Sequence, residues 1–314
     1  MGLTIGIAAI AAVMPAPKPP TFRVLEWNVS DSAWSTHSAE ARAVLRHADP
    51  DVLVLAQVTP GLDAELRRML NGLRGPRDTV WFISSRQNDP YETTIIAARD
   101  TIREVPEFQR LTFADTGMLG TLAALPSGRG APAKRDSVSD VHANAGLVRV
   151  NGAWTLIVGV HLTCCGTPTD WREYRRQLGA GEIRRAIMRV LSRVTPAGVV
   201  VAGDMNLVAG AAALDTLLGI ARRAPLGPMR RADARQPDGW TDWTWDGRGT
   251  AFNGGRLDNL IYSSGTLTAA RATVWDTELM PPDTLSAHGL TPETSKNINR
   301  HRPVVVDLRF SKSR

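Results

Sequence analysis

From residue 21 onward the chain alternates short apolar runs with amphipathic stretches. Residues 52–58 and 198–202 are almost continuously apolar, which is typical of strands buried on both faces of a sheet. Residues 171–193 carry apolar side chains at helical spacing among many arginines and predict a long amphipathic helix. We predict strands at 22–29, 52–58, 80–84, 93–98, 146–150, 154–162, 198–202, 257–262 and 303–310, and helices at 40–47, 62–73 and 171–193.

The predicted strands outnumber the helices, and helices lie between some of them. This arrangement fits two sheets packed face to face and flanked by helices. Periodicity alone is equally compatible with an ordinary α/β fold. Residues 125–143, rich in Gly, Pro, Ser and charge, are predicted to form one long loop within the domain, because strands resume on both sides.

The N-terminus has some of the features of a secretory signal peptide. An apolar run at 3–14 is followed by small residues and a proline-rich stretch, but no positive residues precede it. The run is too short to span a bilayer, and no other run is long enough. We therefore expect residues 1–20 to be a signal peptide or an N-terminal tail, and residues 21–314 to form a single domain. Export to the periplasm or medium is the favoured location, with the cytoplasm as the alternative.

Composition narrows the function classes only slightly. The formal net charge of +6 favours anionic partners weakly, and no block of Lys or Arg is typical of a nucleic-acid-binding tail. The two cysteines, Cys164 and Cys165, are adjacent, which is neither a disulfide scaffold nor a zinc-site spacing. We expect a monomer.

Polar residues lie at the ends of several predicted strands. Asp204 and Asn206, two residues apart in the segment Gly-Asp-Met-Asn, can point into one cleft, and Gly203 permits a close backbone approach. By itself this segment is a common turn. Four further strand ends carry Asn28, His161, Asp258 and His301, and five such clusters in this order are unlikely to arise by chance.

With these motifs the chain resembles the endonuclease/exonuclease/phosphatase superfamily, which includes deoxyribonuclease-I-like nucleases. The resemblance runs from residue 23 to residue 310. It implies a four-layered α/β sandwich, with two mainly antiparallel sheets packed face to face and flanked by helices. It also implies hydrolysis of a phosphate ester by metal-aided attack of water, usually with Mg²⁺.

The resemblance assigns roles to the residues at the strand ends. Asn28 is expected near the metal and the phosphate, and His161 is expected to contact the phosphate. Asp204 is expected to orient or deprotonate the attacking water, with Asn206 as its phosphate-binding neighbour. Cations, imidazolium groups and amide donors at these places would stabilise the charge that develops during phosphate hydrolysis.

The resemblance also assigns roles to the residues of the last two motifs, Asp258 and His301. Asp258 is expected to hydrogen-bond His301, which would bind and protonate the phosphoryl group. Such a carboxylate fixes the tautomer of the imidazole and favours its protonated form. Tyr91 is expected to contact the phosphate, on a looser match.

Two positions depart from the family pattern. Gln57 occupies the place of a glutamate that is the principal metal ligand, and Arg300 replaces an acid near the metal. The expected metal set of Asn28, Gln57 and Asp204 is therefore weakened, because Mg²⁺ sites depend on carboxylates. Arg300 could instead swing to solvent or bind the substrate phosphate.

Two nearby acids are candidate replacement ligands for the metal. These are Glu26 and Asp31, which flank Asn28 in sequence. We expect Glu26 to share a face with Asn28 only if the strand bulges.

Three hypotheses follow, of which the least favoured is an unrelated α/β protein whose motifs match by accident. The first is a phosphoesterase of phosphodiesterase, nuclease or phosphatase type that uses Mg²⁺ or another divalent cation. The second is a pseudoenzyme of the same fold that binds a phosphorylated ligand or a protein. The retained acids and histidines favour the enzyme. Nucleic acid, a phospholipid head group and a sugar phosphate all remain candidate substrates. Trp240, Trp243 and Trp245 could stack on bases, insert at a membrane surface or simply pack the edge of the sandwich.

Overall fold

The computed structural model describes residues 21–30, 36–73, 80–87, 90–113, 141–220 and 225–311. The strands are β1 (Thr21–Asn28), β2 (Val52–Val58), β3 (Phe82–Gln87), β4 (Thr93–Ala98), β5 (Ile102–Glu104), β6 (Ala143–Val150), β7 (Ala153–His161), β8 (Gly198–Asp204), β9 (Met229–Arg231), β10 (Asp258–Ser263), β11 (Leu267–Val274) and β12 (Val304–Phe310). The helices are α1 (Ser38–Ala48), α2 (Asp63–Asn71), α3 (Pro106–Gln109), α4 (Trp171–Arg193), α5 (Ala212–Leu218), α6 (Pro282–Ala287) and α7 (Thr294–Ile298), with a 3₁₀ turn at Thr277–Leu279.

Within these described ranges the strands form two sheets of six. The first has the order β11-β12-β1-β2-β4-β3, and the second has the order β5-β6-β7-β8-β10-β9. Each sheet contains one parallel pair, β1 with β2 and β7 with β8, and the other neighbours are antiparallel. The prediction of two mainly antiparallel sheets flanked by helices is confirmed.

Strand β1 shows how the layers are built. Successive side chains on a strand point to opposite faces. Phe22 and Val24 pack in the core between the sheets, together with residues of β8, β10 and β12. Leu25 and Trp27 pack on the opposite face, in the core formed with α1 and α2. Both faces are therefore buried, and the strand is apolar along most of its length.

The second sheet repeats this arrangement on its own outer face. Val199 and Val201 of β8 pack in a core that includes Ile183 and Ile187 of α4 and Leu217 of α5. The order of layers is helices, sheet, sheet, helices. None of the described helices is both long enough and apolar enough to cross a bilayer.

Most predicted elements are present, with shifted bounds. The predicted strand at 80–84 is β3 (Phe82–Gln87), and the strand at 146–150 begins at Ala143, inside the predicted loop. The rest of that loop up to residue 140 lies outside the described residues, as do residues 1–20, so the signal peptide and export stay predictions.

The strand that sequence missed most clearly is β11 (Leu267–Val274). It lies at the edge of its sheet, and the middle of the strand is exposed or half-buried. It is therefore built from Thr, Ala and Arg and has no continuous apolar run. Strands β5 and β9 have three residues each and also end a sheet, so they leave little periodic signal.

Gly203, near the end of β8, is required by sterics. Its φ is +148°, and a Cβ atom there would lie 1.9 Å from the carbonyl oxygen of Val160 on β7. We predict that Gly203→Ala lowers the free energy of unfolding by about 3 kcal/mol or more, because the backbone must move to relieve the overlap. Chemical denaturation measures this change.

Gly210→Ala is the matched control. Gly210 lies on the loop after β8, and a Cβ atom there would have nothing within 4 Å. This variant should unfold at nearly the wild-type denaturant concentration. Equal stability of the two variants would show that the close approach at Gly203 is not a constraint.

Candidate active site

The layer between the sheets is apolar along most of each strand and polar at one end. On β8, Val200 and Ala202 pack between the sheets, and Asp204 follows them on the same face. On β10, Leu260 packs between the sheets and Asp258 precedes it on that face. The same alternation places a polar end on three more segments, at Asn28 on β1, His161 on β7 and His142 just before β6. These strand ends meet at one edge of the sandwich.

Asp204 occupies the centre of this polar group. Asn28 donates through Nδ2 to Asp204 Oδ2 at 2.9 Å, which links the two sheets. The backbone N–H of Asn206 donates to Asp204 Oδ1 at 2.9 Å. The Nε2 atoms of His161 and His301 lie 3.7 and 3.9 Å from Asp204 Oδ2. The carboxylate is buried and faces two imidazoles.

His301 is oriented by Asp258, as the resemblance implies. His301 Nδ1 lies 2.9 Å from Asp258 Oδ2 and 3.1 Å from Oδ1. Asp258 is fully buried at the start of β10. The last strand, predicted from residue 303, begins at Val304, three residues after His301. The ring therefore belongs to a connecting segment, which needs separate support.

Arg302 gives that support. Its side chain is fully buried, and Nε donates to Asp276 at 2.9 Å while Nη2 donates to Asp246 at 3.2 Å. Its Nη1 also donates to the carbonyl of Asn299 at 2.7 Å. A buried cation of this kind is stable only because its partners compensate for lost hydration. The ion pairs thus fix the segment that carries His301.

His161 has a carboxylate partner that sequence reasoning missed. Glu92, just before β4, lies 2.8 Å through Oε2 from His161 Nδ1. The same carboxylate lies 2.7 Å through Oε1 from Nδ1 of His142, which sequence reasoning also missed. Both residues occupy the alternating positions that continue the inter-sheet face of β4 and β6 past the strand ends. The alternation of side chains along these two strands is therefore the feature of the sequence that could have identified Glu92 and His142.

The electrostatics favour protonated imidazoles. Burial opposes protonation of His161, but Glu92, Asp204 and Asp258 outweigh it and raise the pKa of His161 to about 9. Burial would raise the pKa of Glu92, yet the two histidines lower it well below its usual range. For His301, burial is likewise outweighed by Asp258 and Asp204, and the pKa is raised. In His161 and His301 the Nδ1 atom faces a carboxylate. The protonated Nε2 atom of each ring is therefore free to donate a hydrogen bond toward Asp204 and the cleft.

Glu26 is placed differently from the expectation. Strand β1 pairs with β12 and β2 without a bulge, and Glu26 still shares a face with Asn28, because residues two apart on a strand point the same way. The expectation that a bulge is needed was wrong. The carboxyl is fully buried and makes no hydrogen bond among the described residues. Burial, with Asp258 and Asp204 nearby, raises its pKa well above the usual range, which favours a neutral acid. Asp31, the other candidate ligand, lies outside the described residues.

Gln57 reaches the cleft through a bulge in β2. Leu53 and Leu55 pack against the outer helices, so regular alternation would turn residue 57 the same way. The register with β4 shifts between Leu55 and Val58, and Gln57 has a φ of +58°. Such a bulge redirects side chains, and Gln57 is among the residues that line the cleft.

Arg300 does not join the group. Its Nη1 donates to the carbonyl oxygens of Asp246 and Arg248 at 3.0 and 2.8 Å. The side chain is exposed and is not among the cleft-lining residues. The structure therefore does not support the expectation that Arg300 binds the substrate phosphate; the side chain turns toward solvent instead.

The expected metal set does not fit Mg²⁺ well. Of Asn28, Gln57 and Asp204, only Asp204 carries charge, and its oxygens already accept from Asn28 and Asn206. Mg²⁺ is usually bound through one or two carboxylates whose oxygens are free to coordinate it. Among the described residues, two groups each bring three possible ligand atoms within 4.8 Å, and both are built around the histidine–carboxylate pairs described above: Glu92, His142 and His161 form one, and Asp204, Asp258 and His301 form the other.

The polar group forms the floor of a cleft of about 860 Å³. Tyr91 and Phe252 are exposed at its rim, and Arg175 and Trp245 also line it. Floor and rim together offer imidazoles for an anion and aromatic faces for a planar group.

The three tryptophans do not act as one cluster. Trp245 lines the cleft, with its ring 6.2 Å from that of Phe252. Trp243 is half-buried under the guanidinium groups of Arg248 and Arg302. Trp240 is 84% exposed and is not among the cleft-lining residues. Of these three, Trp245 alone is placed to touch a ligand in the cleft.

The histidine–carboxylate pairing generates a testable prediction. In Glu92→Gln the pKa of His161 should fall from about 9 to near or below 6.5. Burial lowers this pKa, and the variant removes the carboxylate that opposes the effect of burial most strongly. NMR titration of the imidazole resonances measures this. The pKa of His301 should stay raised, because Asp258 is intact. Glu104→Gln, which changes an exposed Glu on β5, is the matched control and should leave both values unchanged.

The same pairing couples stability to pH. The folded-state pKa of His161 lies above the unfolded value of 6.5, so its ion pair contributes fully below pH 6.5 and is lost as pH rises through about 9. Glu92→Gln should therefore lose stability mainly below pH 9. An equal loss at pH 10 would contradict an ionic role for Glu92.

Solved structures of other proteins share this fold. No curated protein sequence matches the chain significantly. A truncated TDP2 from Caenorhabditis elegans has a similar structure, with a TM-score of 0.57 and 14% identity over 93% of this chain and 98% of that one. TDP2 from D. rerio, complexed with a single-strand DNA product, has a TM-score of 0.55 and 15% identity over 92% of this chain and 99% of that one. The human nocturnin catalytic domain, with a bound sulfate anion, has a TM-score of 0.56 and 16% identity over 94% of this chain and 96% of that one.

At such identities these likenesses establish the fold alone. The family is established by sequence, because the profile of the Endonuclease/Exonuclease/phosphatase family matches residues 25–288, most of the chain. Membership supports a hydrolase of the phosphoesterase type. The chain therefore belongs to the Endonuclease/Exonuclease/phosphatase family.

Proposed function

We propose that this protein hydrolyses phosphate esters in the cleft above Asp204. The observation that carries the proposal is the placement of two imidazole Nε2 atoms, from His161 and His301, within 3.7 and 3.9 Å of one buried carboxylate oxygen. A site of this kind offers a base for water and two cationic donors for phosphoryl oxygens. Both are needed when water attacks phosphorus and charge develops on the oxygens around it.

The polar residues around Asp204 have different roles in the proposed hydrolysis. Asp204 accepts the proton of the attacking water, and Asn28 and Asn206 hold its carboxylate in place. His161 and His301 donate through Nε2 to phosphoryl oxygens, and His301 supplies the proton that the leaving oxygen requires. The partner carboxylates, Glu92 and Asp258, keep both rings protonated and correctly oriented.

The cleft rim supports a substrate with a planar group. Tyr91 and Phe252 are exposed at the rim, and bases stack on such faces. Similar folds have been solved with a sulfate anion and with single-strand DNA product. Nucleic acid is therefore the first substrate to try, followed by a phospholipid head group and a sugar phosphate.

A second candidate function is that of a phosphate-binding pseudoenzyme. Gln57 favours it, because an uncharged amide stands in the cleft where the family has its principal metal-binding glutamate. In that case the imidazoles would bind a phosphorylated ligand, and no water would be activated.

Hydrolysis assays separate the two functions. Wild-type protein should turn over generic phosphodiester or phosphomonoester substrates, and His301→Ala and Asp204→Asn should each lose about 100-fold or more in rate. His288→Ala, which removes an exposed histidine that is not among the cleft-lining residues, should retain wild-type activity. Turnover no faster than that of His301→Ala, with phosphate still bound, would establish the pseudoenzyme instead.

Gln57→Glu tests how far the metal side of the site is weakened. We expect this variant to bind Mg²⁺ at least about tenfold more tightly than the wild type, because it adds one carboxylate to the cleft. Isothermal titration calorimetry measures the affinity. Gln87→Glu, on the exposed end of β3, is the matched control. Equal affinities for the two variants would show that residue 57 does not face a metal position.

A further inference from the structure

The two cysteines of the chain lie side by side at the cleft. Cys164 and Cys165 follow β7 and precede α4, and both line the cleft. Cys164 is exposed and Cys165 is half-buried. Their Sγ atoms are 2.7 Å apart. The sequence has no third cysteine, so any intramolecular thiol chemistry involves these two.

The loop that carries them is fixed from both sides. The fully buried Arg176 donates through Nε to the carbonyl of Thr163 at 2.9 Å and through Nη2 to that of Cys165 at 2.6 Å. On the other side, Asn206 donates through Nδ2 to the carbonyl of Leu162 at 2.9 Å. The backbone conformation that brings the two thiols together is thus imposed by the fold.

We propose that Cys164 and Cys165 form a vicinal dithiol site that reacts with low-molecular-weight disulfides and closes reversibly to an intramolecular disulfide. The Cys165 thiolate attacks one sulfur of the disulfide and releases one thiolate. Cys164 then loses its proton and attacks Cys165 Sγ, which releases the second. Two cysteine thiols and one external disulfide become one vicinal disulfide and two external thiols, and two electrons pass to the reagent.

Cys165 is the better first nucleophile. The hydrogen bond with Cys164 lowers the pKa of Cys165, burial opposes this, and the nearby Arg172 and Arg176 add to the lowering. The same hydrogen bond raises the pKa of Cys164. Because the thiolate is the reactive form, Cys165 attacks and Cys164 resolves.

The geometry makes the closed form easy to reduce. Cα atoms of adjacent residues are about 3.8 Å apart, whereas disulfides usually join Cα atoms roughly 4.4 to 6.8 Å apart. A ring closed outside that range is strained, and strained disulfides are the labile ones. It also closes almost no chain, so it adds little stability through the unfolded state. The site is therefore suited to reversible reaction rather than to structural cross-linking.

Glutathione disulfide tests the proposal on the reduced full-length protein. Mass spectrometry should find a monomer that has lost two hydrogen atoms, with the link between residues 164 and 165, and excess reduced glutathione should restore the thiols. Closure should be at least about tenfold faster in the folded protein than in the same chain in denaturant. Stable attachment of two glutathiones, disulfide-linked dimers or equal rates in the two states would each overturn the proposal.

Two serine variants assign the order of reaction. Cys164→Ser should stop at a stable mixed disulfide with one glutathione, because the resolving thiol is gone. Cys165→Ser should react at least about tenfold more slowly than Cys164→Ser. The reverse order of rates would overturn the assigned roles. Thermal melts confirm that both variants are folded, and phenylarsine oxide, which needs two thiols, should bind only the wild type.

Discussion

The alternation of side chains across the strands is the constraint on which this site depends. Between the sheets, each strand contributes apolar residues up to its end and then one polar residue on the same face, such as Asp204 after Ala202 on β8. The packing that stabilises the sandwich therefore also aims the polar groups at one place. Asn28 joins the two sheets there through its hydrogen bond to Asp204.

Buried charge at such a place must be compensated. Isolated carboxylates in an apolar layer are costly, whereas carboxylates that share protons with imidazoles are tolerated. Asp258 with His301 and Glu92 with His161 satisfy this requirement, and the pairing keeps both rings cationic. Glu26 is the exception, because its buried carboxyl lacks a hydrogen bond among the described residues and is driven toward the neutral form. The site therefore has an uncharged side chain, Gln57, at the cleft and a buried acid, Glu26, that favours the neutral form near Asp204 and Asp258.

Much of this could be predicted from the sequence. The apolar runs gave the buried strands, and the polar residues at their ends gave Asn28, His161, Asp204, Asp258 and His301, which the structure brings together. Edge strands such as β11 were missed, because half-exposed strands lack an apolar run. Glu92 and His142 were missed, because neither lies in a motif and only strand parity connects them with His161. The outward turn of Arg300 follows from carbonyl groups of a distant loop, which no local pattern reveals.

The central claim is that the Nε2 atoms of His161 and His301 bind the phosphoryl group of a substrate above Asp204. A crystal structure with a tetrahedral or pentavalent phosphate analogue, such as sulfate or vanadate, tests it most directly. The account predicts the anion in the cleft, within hydrogen-bond distance of both Nε2 atoms. An anion bound elsewhere in the cleft, with neither imidazole in contact, would contradict it.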